Sequence, residues 1–221
     1  MTVRVGIVDS GVHAEHPHVG DVKGGVLISS DGDPADYIDR IGHGTAVAGA
    51  IRERAPGAEL YAVRIFERRL SASIEILMRG LEWCIENGMH IVNLSVGTEN
   101  ERHRPMLEDY MRRARTRETF VIGAVRMLPG SLECAIGVES DPECPRDVCR
   151  FKDGVFFASP YPRPIPGVPR ERNLHGVSFS IANCTGLLAH AMESAPAGDA
   201  YREFLRAASS PIASSSNPFN R

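Results

Sequence analysis

The chain's 221 residues, 43% hydrophobic and 24% charged, have the proportions of one soluble globular unit with a sizeable core. A net charge of −3 excludes a global field that would gather nucleic acid or an anionic membrane surface. No apolar run approaches a bilayer span, and Met1-Thr2-Val3-Arg4 leads straight into Val5-Gly6-Ile7-Val8 without a secretory signal or its cleavage site. Five cysteines (Cys84, Cys134, Cys144, Cys149 and Cys184) form an odd set without framework spacing. Together these features predict free thiols and a reducing, cytoplasmic setting.

Along the chain, short apolar runs alternate with amphipathic stretches, the pattern of a parallel α/β sheet. Strands are expected at Val3–Val8, Glu59–Ile65, Ile91–Leu94, Phe120–Gly123 and Cys134–Val138. Helices are expected at Gly44–Arg54, Ser71–Asn87, Pro105–Arg115 and Ser178–Glu193. Ser71 is the expected N-cap of the second helix, and Asn87-Gly88 its stop. From Asp141 to Asn173 the text turns rich in proline, arginine and glycine. Pro160, Pro162, Pro164, Pro166 and Pro169 rule out a central strand or long helix, so this stretch should wander over the surface. One domain over residues 1–208 and a loose polar tail from Ser209 to Arg221 complete the expectation.

Three segments carry chemistry. Gly6-Ile7-Val8-Asp9-Ser10-Gly11 is an apolar strand ending in a carboxylate and a turn. Gly42-His43-Gly44-Thr45-Ala46-Val47-Ala48-Gly49 places a histidine at the head of a small-residue helix. Gly176-Val177-Ser178-Phe179-Ser180 places a serine at the head of another. Acyl transfer by serine needs a base to take its proton and an acid to hold the base in one tautomer. An acid at a strand's C-terminal end and two partners at helix N-termini can meet above one sheet edge. The helix start beneath Ser178 also supplies a backbone N–H for a developing oxyanion.

These segments, in the order Asp, His, Ser, resemble the signatures of the subtilases. A fourth stretch, Gly80-Leu81-Glu82-Trp83-Cys84-Ile85-Glu86-Asn87-Gly88-Met89-His90-Ile91-Val92-Asn93-Leu94-Ser95-Val96-Gly97, is similar to the family's cleft-forming helix and strand. The resemblance runs from Val3 to Ala191. It implies a subtilisin-like three-layer fold with a mostly parallel central sheet, in a minimal version. It implies a serine endopeptidase whose triad is Asp9, His43 and Ser178, with Ser95, Val96 and Gly97 pairing with an extended peptide by strand addition. A peptide or precursor protein is the implied partner, with no cofactor and no metal.

The departures from the family are informative too. Val177 and Phe179 stand where the third signature has threonine and methionine. The direct passage from Arg54 to Ala55 leaves no room for the loop that wraps a structural calcium in many secreted members. The family's oxyanion asparagine is missing from Phe120-Val121-Ile122-Gly123-Ala124-Val125-Arg126-Met127, and alignment puts Arg126 in its place. Small size, with no calcium loop, signal or pro-segment read in the chain, resembles subtilases that remove leader peptides from precursor peptides, alone or within a maturation complex. The other reading is a catalytically weak or silent subtilase fold that binds peptide as a scaffold subunit.

Bland readings prevail elsewhere. His13, His16 and His18 crowd one loop, but His16-Pro17 matches a family dipeptide, so no metal is assigned. Cys134, Cys144 and Cys149 read as free thiols or one disulfide rather than a zinc site, Cys184 and Trp83 as core, and Arg112, Arg113, Arg115 and Arg117 as a solvated helix face.

Overall fold

The computed structural model describes residues 2–29 and 32–210. In chain order the elements are β1 (Arg4–Asp9), β2 (Gly24–Leu27), α1 (His43–Arg54), β3 (Glu59–Arg64), α2 (Ile74–Glu86), β4 (Ile91–Leu94) and α3 (Arg104–Thr116). There follow β5 (Phe120–Ala124), β6 (Ile136–Ser140), β7 (Cys149–Lys152), β8 (Val155–Ala158), α4 (Val177–Ser194) and α5 (Ala197–Ser209). The strands form one sheet in the order β2-β3-β1-β4-β5-β6-β8-β7. Every pairing is parallel except the β7–β8 hairpin.

β1 shows how sequence makes the layers. Side chains alternate across a strand, so Val5 and Ile7 join the core shared with α1, α4 and α5, while Val8 joins the core beneath α2 and α3. All three are fully buried, and each such side chain contributes about 1.5–3 kcal/mol of transfer free energy. Helices on both faces of a mostly parallel sheet make three layers, as expected for a subtilisin-like α/β fold. Parallel strands place their C-terminal ends on one edge, and the helices that return across the sheet begin or end there.

The structure departs from the sequence expectation in local places. Ser73, not Ser71, caps α2, its Oγ accepting from the Ile76 N–H at 3.4 Å. Gly88 alone takes the left-handed conformation after α2 (φ +63°), since Asn87 remains near-helical at φ −84°. β6 begins two residues later than Cys134, because a turn in which the Ala135 N–H donates to the Leu132 carbonyl occupies that position. The stretch from Asp141 is not all surface coil, since it includes the β7–β8 hairpin. Asp153 and Gly154 both have positive φ there (+50° and +82°), as a tight hairpin turn requires, and an Asp-Gly pair between Phe151-Lys152 and Val155-Phe156 is its sequence signal. The prolines from 160 onward do keep that later segment out of the sheet. β2 and α5 were not anticipated. α5 buries Ala200, Phe204 and Ala208, spaced by four, and Phe204 stacks on Phe156 at 5.1 Å. Of the expected loose tail, Ser209 ends α5, and residues 211–221 lie outside the described residues.

Candidate active site

Asp9 ends β1 and is wholly buried; His43 is the first residue of α1. The His43 Nδ1 lies 2.8 Å from Asp9 Oδ1 and 3.0 Å from Oδ2. A carboxylate there holds the proton on Nδ1 and leaves Nε2 as the basic nitrogen. The carboxylate is itself oriented, since Oδ1 also accepts from the Ser10 N–H at 2.7 Å. Burial would disfavour the imidazolium. The Asp9 hydrogen bond and the charges of Asp9 and Asp39 outweigh it, so the His43 pKa is raised above the ordinary histidine value.

The head of α1 is held by a second carboxylate that sequence reading passed over. Gly42, the N-cap of α1, has no side chain to cap with. Asp39 serves from outside the helix. Its Oδ1 accepts from Ser10 Oγ and from the Ile41 and Gly42 N–H groups, and its Oδ2 from the Thr45 N–H and hydroxyl, all within 2.9 Å. These hydrogen bonds overcome a burial that opposes ionisation, and the Asp39 pKa is lowered. The Ser10 hydroxyl in turn accepts from the Gly44 N–H at 2.9 Å. Gly44 must be glycine, since a Cβ there would sit 2.2 Å from the Gly11 carbonyl oxygen. The legible signal was an aspartate four residues before the histidine, at the entry to a helix lacking a capping side chain.

Ser178 is the second residue of α4, partly buried, behind the N-cap Gly176. The next side chain, Phe179, has its ring 5.4 Å from the His43 ring, so the first turn of α4 lies against the imidazole. Among the described residues no hydrogen bond closes the last step from Ser178 Oγ to His43. α4 is pinned by polar contacts along its length. Asn183 donates to the Ser159 and Tyr161 carbonyls at 2.9 and 3.0 Å, and Thr185 Oγ1 donates to Asn93 Oδ1 at 3.1 Å.

Ser95, Val96 and Gly97 follow β4 at the same sheet edge. Asn93 Nδ2 donates to Ser95 Oγ at 3.1 Å, linking this edge through Thr185 to α4. Beyond it Thr98 and Leu128 exchange both backbone hydrogen bonds at 2.9 Å. Val96 and Gly97 have no backbone partner among the described residues, which leaves them able to receive an added strand. A Cβ on Gly97 would meet Met127 Cβ at 2.7 Å and the Leu128 carbonyl oxygen at 2.8 Å, so the neighbouring turn packs directly against this edge.

Arg126 lies in the turn after β5, close in sequence to that contact. Its side chain is 81% exposed and its Nε pairs with Glu139 Oε2 at 2.5 Å. Among the described residues it forms no hydrogen bond with Ser178 or His43. All five cysteines are unbridged. Cys144 is pushed up to about 11, chiefly by burial, and Cys149 is pushed up by its neighbour Cys184 and by burial. Among the described residues no cluster of His, Cys, Asp or Glu could hold a metal ion, and no helix is long and apolar enough to cross a membrane.

A family model described as the subtilase family matches residues 1–127. That span includes Asp9, His43, Ser95, Val96, Gly97 and Arg126 but not Ser178. The chain is 37% identical over 130 residues to a thermostable alkaline protease of Halalkalibacterium halodurans, covering 55% of this chain and 34% of that one. It is 36% identical over 131 residues to subtilisin Savinase of Lederbergia lenta, covering 55% and 46%. To subtilisin E of Bacillus subtilis it is 36% identical over 105 residues, covering 43% and 27%. The chain thus spans less than half the length of each of these relatives.

Proposed function

Since the chain belongs to the subtilase family, we propose that it is a serine endopeptidase acting on extended peptide. Ser178 Oγ attacks the scissile carbonyl while His43 Nε2 takes its proton. His43 then gives that proton to the leaving amine, and the C–N bond breaks to leave an acyl-enzyme. Water, deprotonated by the same nitrogen, releases the acid and restores Ser178. Asp9 keeps the imidazole in one tautomer and steadies its charged form. The observation that carries this reading is the Asp9 carboxylate on His43 Nδ1 at 2.8 Å, beside the first turn of α4. Val96 and Gly97 offer their unpaired backbone to the substrate, and the Ser178 N–H is one donor to the oxyanion. Arg126 is the candidate second donor, on condition that it leaves Glu139.

The finer reading is that of a dedicated protease that removes a leader segment from a precursor, as a single catalytic domain over residues 1–208. It is supported by the short passage of four residues between α1 and β3, at the sheet edge opposite His43. Five unbridged cysteines suit a reducing compartment such as the cytoplasm.

A fluorophosphonate tests the chemistry, because it labels only an activated serine. Labelling is expected at Ser178 and is abolished in Ser178→Ala and in His43→Ala. A folded wild-type protein that stays unlabelled at high probe concentration overturns the enzyme reading in favour of a peptide-binding scaffold.

A further inference from the structure

Beside the catalytic histidine lies a cavity of about 520 Å³ that the proposed chemistry does not use. Its floor is the first turn of α1, with Gly42, Thr45 and Ala46. One wall is the β1–β2 connection with its crowded histidines; the other is the proline-rich segment between β8 and α4. Ala46 is three residues past His43, about 4.5 Å along the helix. The far wall ends at Leu174, four residues before Ser178. A polypeptide held at the catalytic residues reaches this cavity within roughly three to five extended residues.

The walls combine apolar surface with an arginine that forms no ion pair among the described residues. Ile165 and Leu174 are 45% and 50% exposed, large apolar side chains facing solvent in a place where burial is available. Arg163 donates to the His18 carbonyl at 3.4 Å and has no acidic partner among the described residues. Asp39, the one carboxylate in the lining, keeps its charge, but its oxygens are turned to five hydrogen bonds at the head of α1 and make no ion pair with Arg163 among the described residues. His16 Nδ1 accepts from the His18 N–H at 3.2 Å, which leaves its Nε2 with the proton and able to donate. Burial first, and then the charges of Arg163 and His16, lower the His18 pKa against the pull of Glu53. The segment from Ser159 to Gly176 has three arginines against one glutamate in a chain of net charge −3. A negatively charged peptide therefore finds its complement here rather than over the surface at large.

The wall is also fixed in advance. Four prolines (Pro162, Pro164, Pro166 and Pro169) restrict it. The Gly176 N–H donates to the Pro160 carbonyl at 2.9 Å, and Asn173 Nδ2 to the Arg163 carbonyl at 3.3 Å. Little ordering is left to oppose binding.

From this we infer that the cavity is a recognition subsite for the polypeptide substrate, receiving an acidic residue next to an apolar one, a few residues from the scissile bond. The carboxylate sits against Arg163 and His16, and the apolar side chain against Ile165 and Leu174. This inference rests on the endopeptidase reading, and its test has an arm that needs no turnover.

The probes are three internally quenched peptide libraries of equal length, with a randomised centre and Glu-Leu, Gln-Leu or Lys-Leu at each flank. Wild-type protein is expected to cleave the Glu-Leu set with kcat/KM at least tenfold above the Lys-Leu set, mostly through KM. Arg163→Glu should remove or reverse that order while fluorophosphonate labelling of Ser178 keeps its wild-type rate. Leu174→Ser should weaken all three sets, the Glu-Leu set most. Fluorescence anisotropy of the same peptides on Ser178→Ala reads binding alone and should give the same ranking. Equal cleavage and equal binding of the three sets, or an Arg163→Glu protein that loses all sets alike, overturns the subsite. Absence of labelling with the binding order intact would instead remove the enzyme reading and leave the acidic-peptide site standing.

Discussion

The hydroxyl of Ser10, the residue after Asp9, accepts a hydrogen bond from the backbone N–H of Gly44, the residue after His43, at 2.9 Å. The two catalytic candidates therefore sit on segments stitched together one residue further along. Removing that stitch by Ser10→Ala leaves the buried Gly44 N–H without its partner, at a cost of about 1–3 kcal/mol. It also frees α1 to shift against β1, so kcat is expected to fall with KM little changed. Thermal unfolding and steady-state kinetics on one peptide check both halves; a stable variant with wild-type kcat would refute the link.

Asp39 separates structure from electrostatics. Its charge raises the His43 pKa from outside the Asp9 pair. Asp39→Asn withdraws that charge, so His43 gives up its proton more readily and the acid limb of kcat moves to lower pH. A purely structural role lowers kcat without moving the limb. Stability has its own sign: the folded Asp39 pKa lies below the unfolded value near 3.9. Its contribution is present above about pH 4 and fades as pH falls through the folded pKa. The melting difference between wild type and Asp39→Asn should therefore narrow in acid.

The architecture was legible wherever periodicity or a signature spoke for it. Asp9, His43 and the edge at Ser95 to Gly97 lie on strand ends and helix heads that one sequence announces, because apolar alternation fixes the strand and the parallel order fixes the edge. What escaped had a signal that was short, or that was there and not used. β2 is four residues long and only partly buried. α5 has a clear apolar face of Ala197, Ala200, Tyr201, Phe204, Leu205 and Ala208, so it was legible by its helical period and was passed over. Asp39 stands four residues before His43 at the entry to a helix with no capping side chain, but which groups it holds depends on the path of the loop. Arg126 could be placed on its turn by alignment, but its pairing with Glu139 joins positions on separate elements.

Metal removal should leave the fold untouched, because another group ties the α1–β3 passage. Arg52 donates to the carbonyls of Val19, Asp21, Pro56 and Ala58, all within 3.0 Å. A chelator is expected to change neither Tm nor activity, whereas Arg52→Ala should lower Tm by several degrees, since hydrogen bonds to a charged donor are worth about 1.5–3 kcal/mol each. A chelator-induced drop reversed by calcium would point to a metal site elsewhere.

The last test concerns the oxyanion. A tetrahedral intermediate puts a full negative charge on one oxygen, and the Ser178 N–H answers only part of it. Arg126 stands on the right turn, but its guanidinium is engaged with Glu139 and faces solvent. An exposed pair of this kind is worth only about 0–1 kcal/mol, so a bound substrate can draw the arginine away at small cost. If it does so, Glu139 competes with the oxyanion for the same donor. Glu139→Gln weakens the competitor and is expected to raise kcat, while Arg126→Ala lowers it by about tenfold or more, both with KM nearly constant. The opposite signs matter, because a turn that is merely structural moves both variants the same way. Kinetics unchanged in both would exclude Arg126 as the donor and assign the oxyanion to backbone N–H groups at the head of α4.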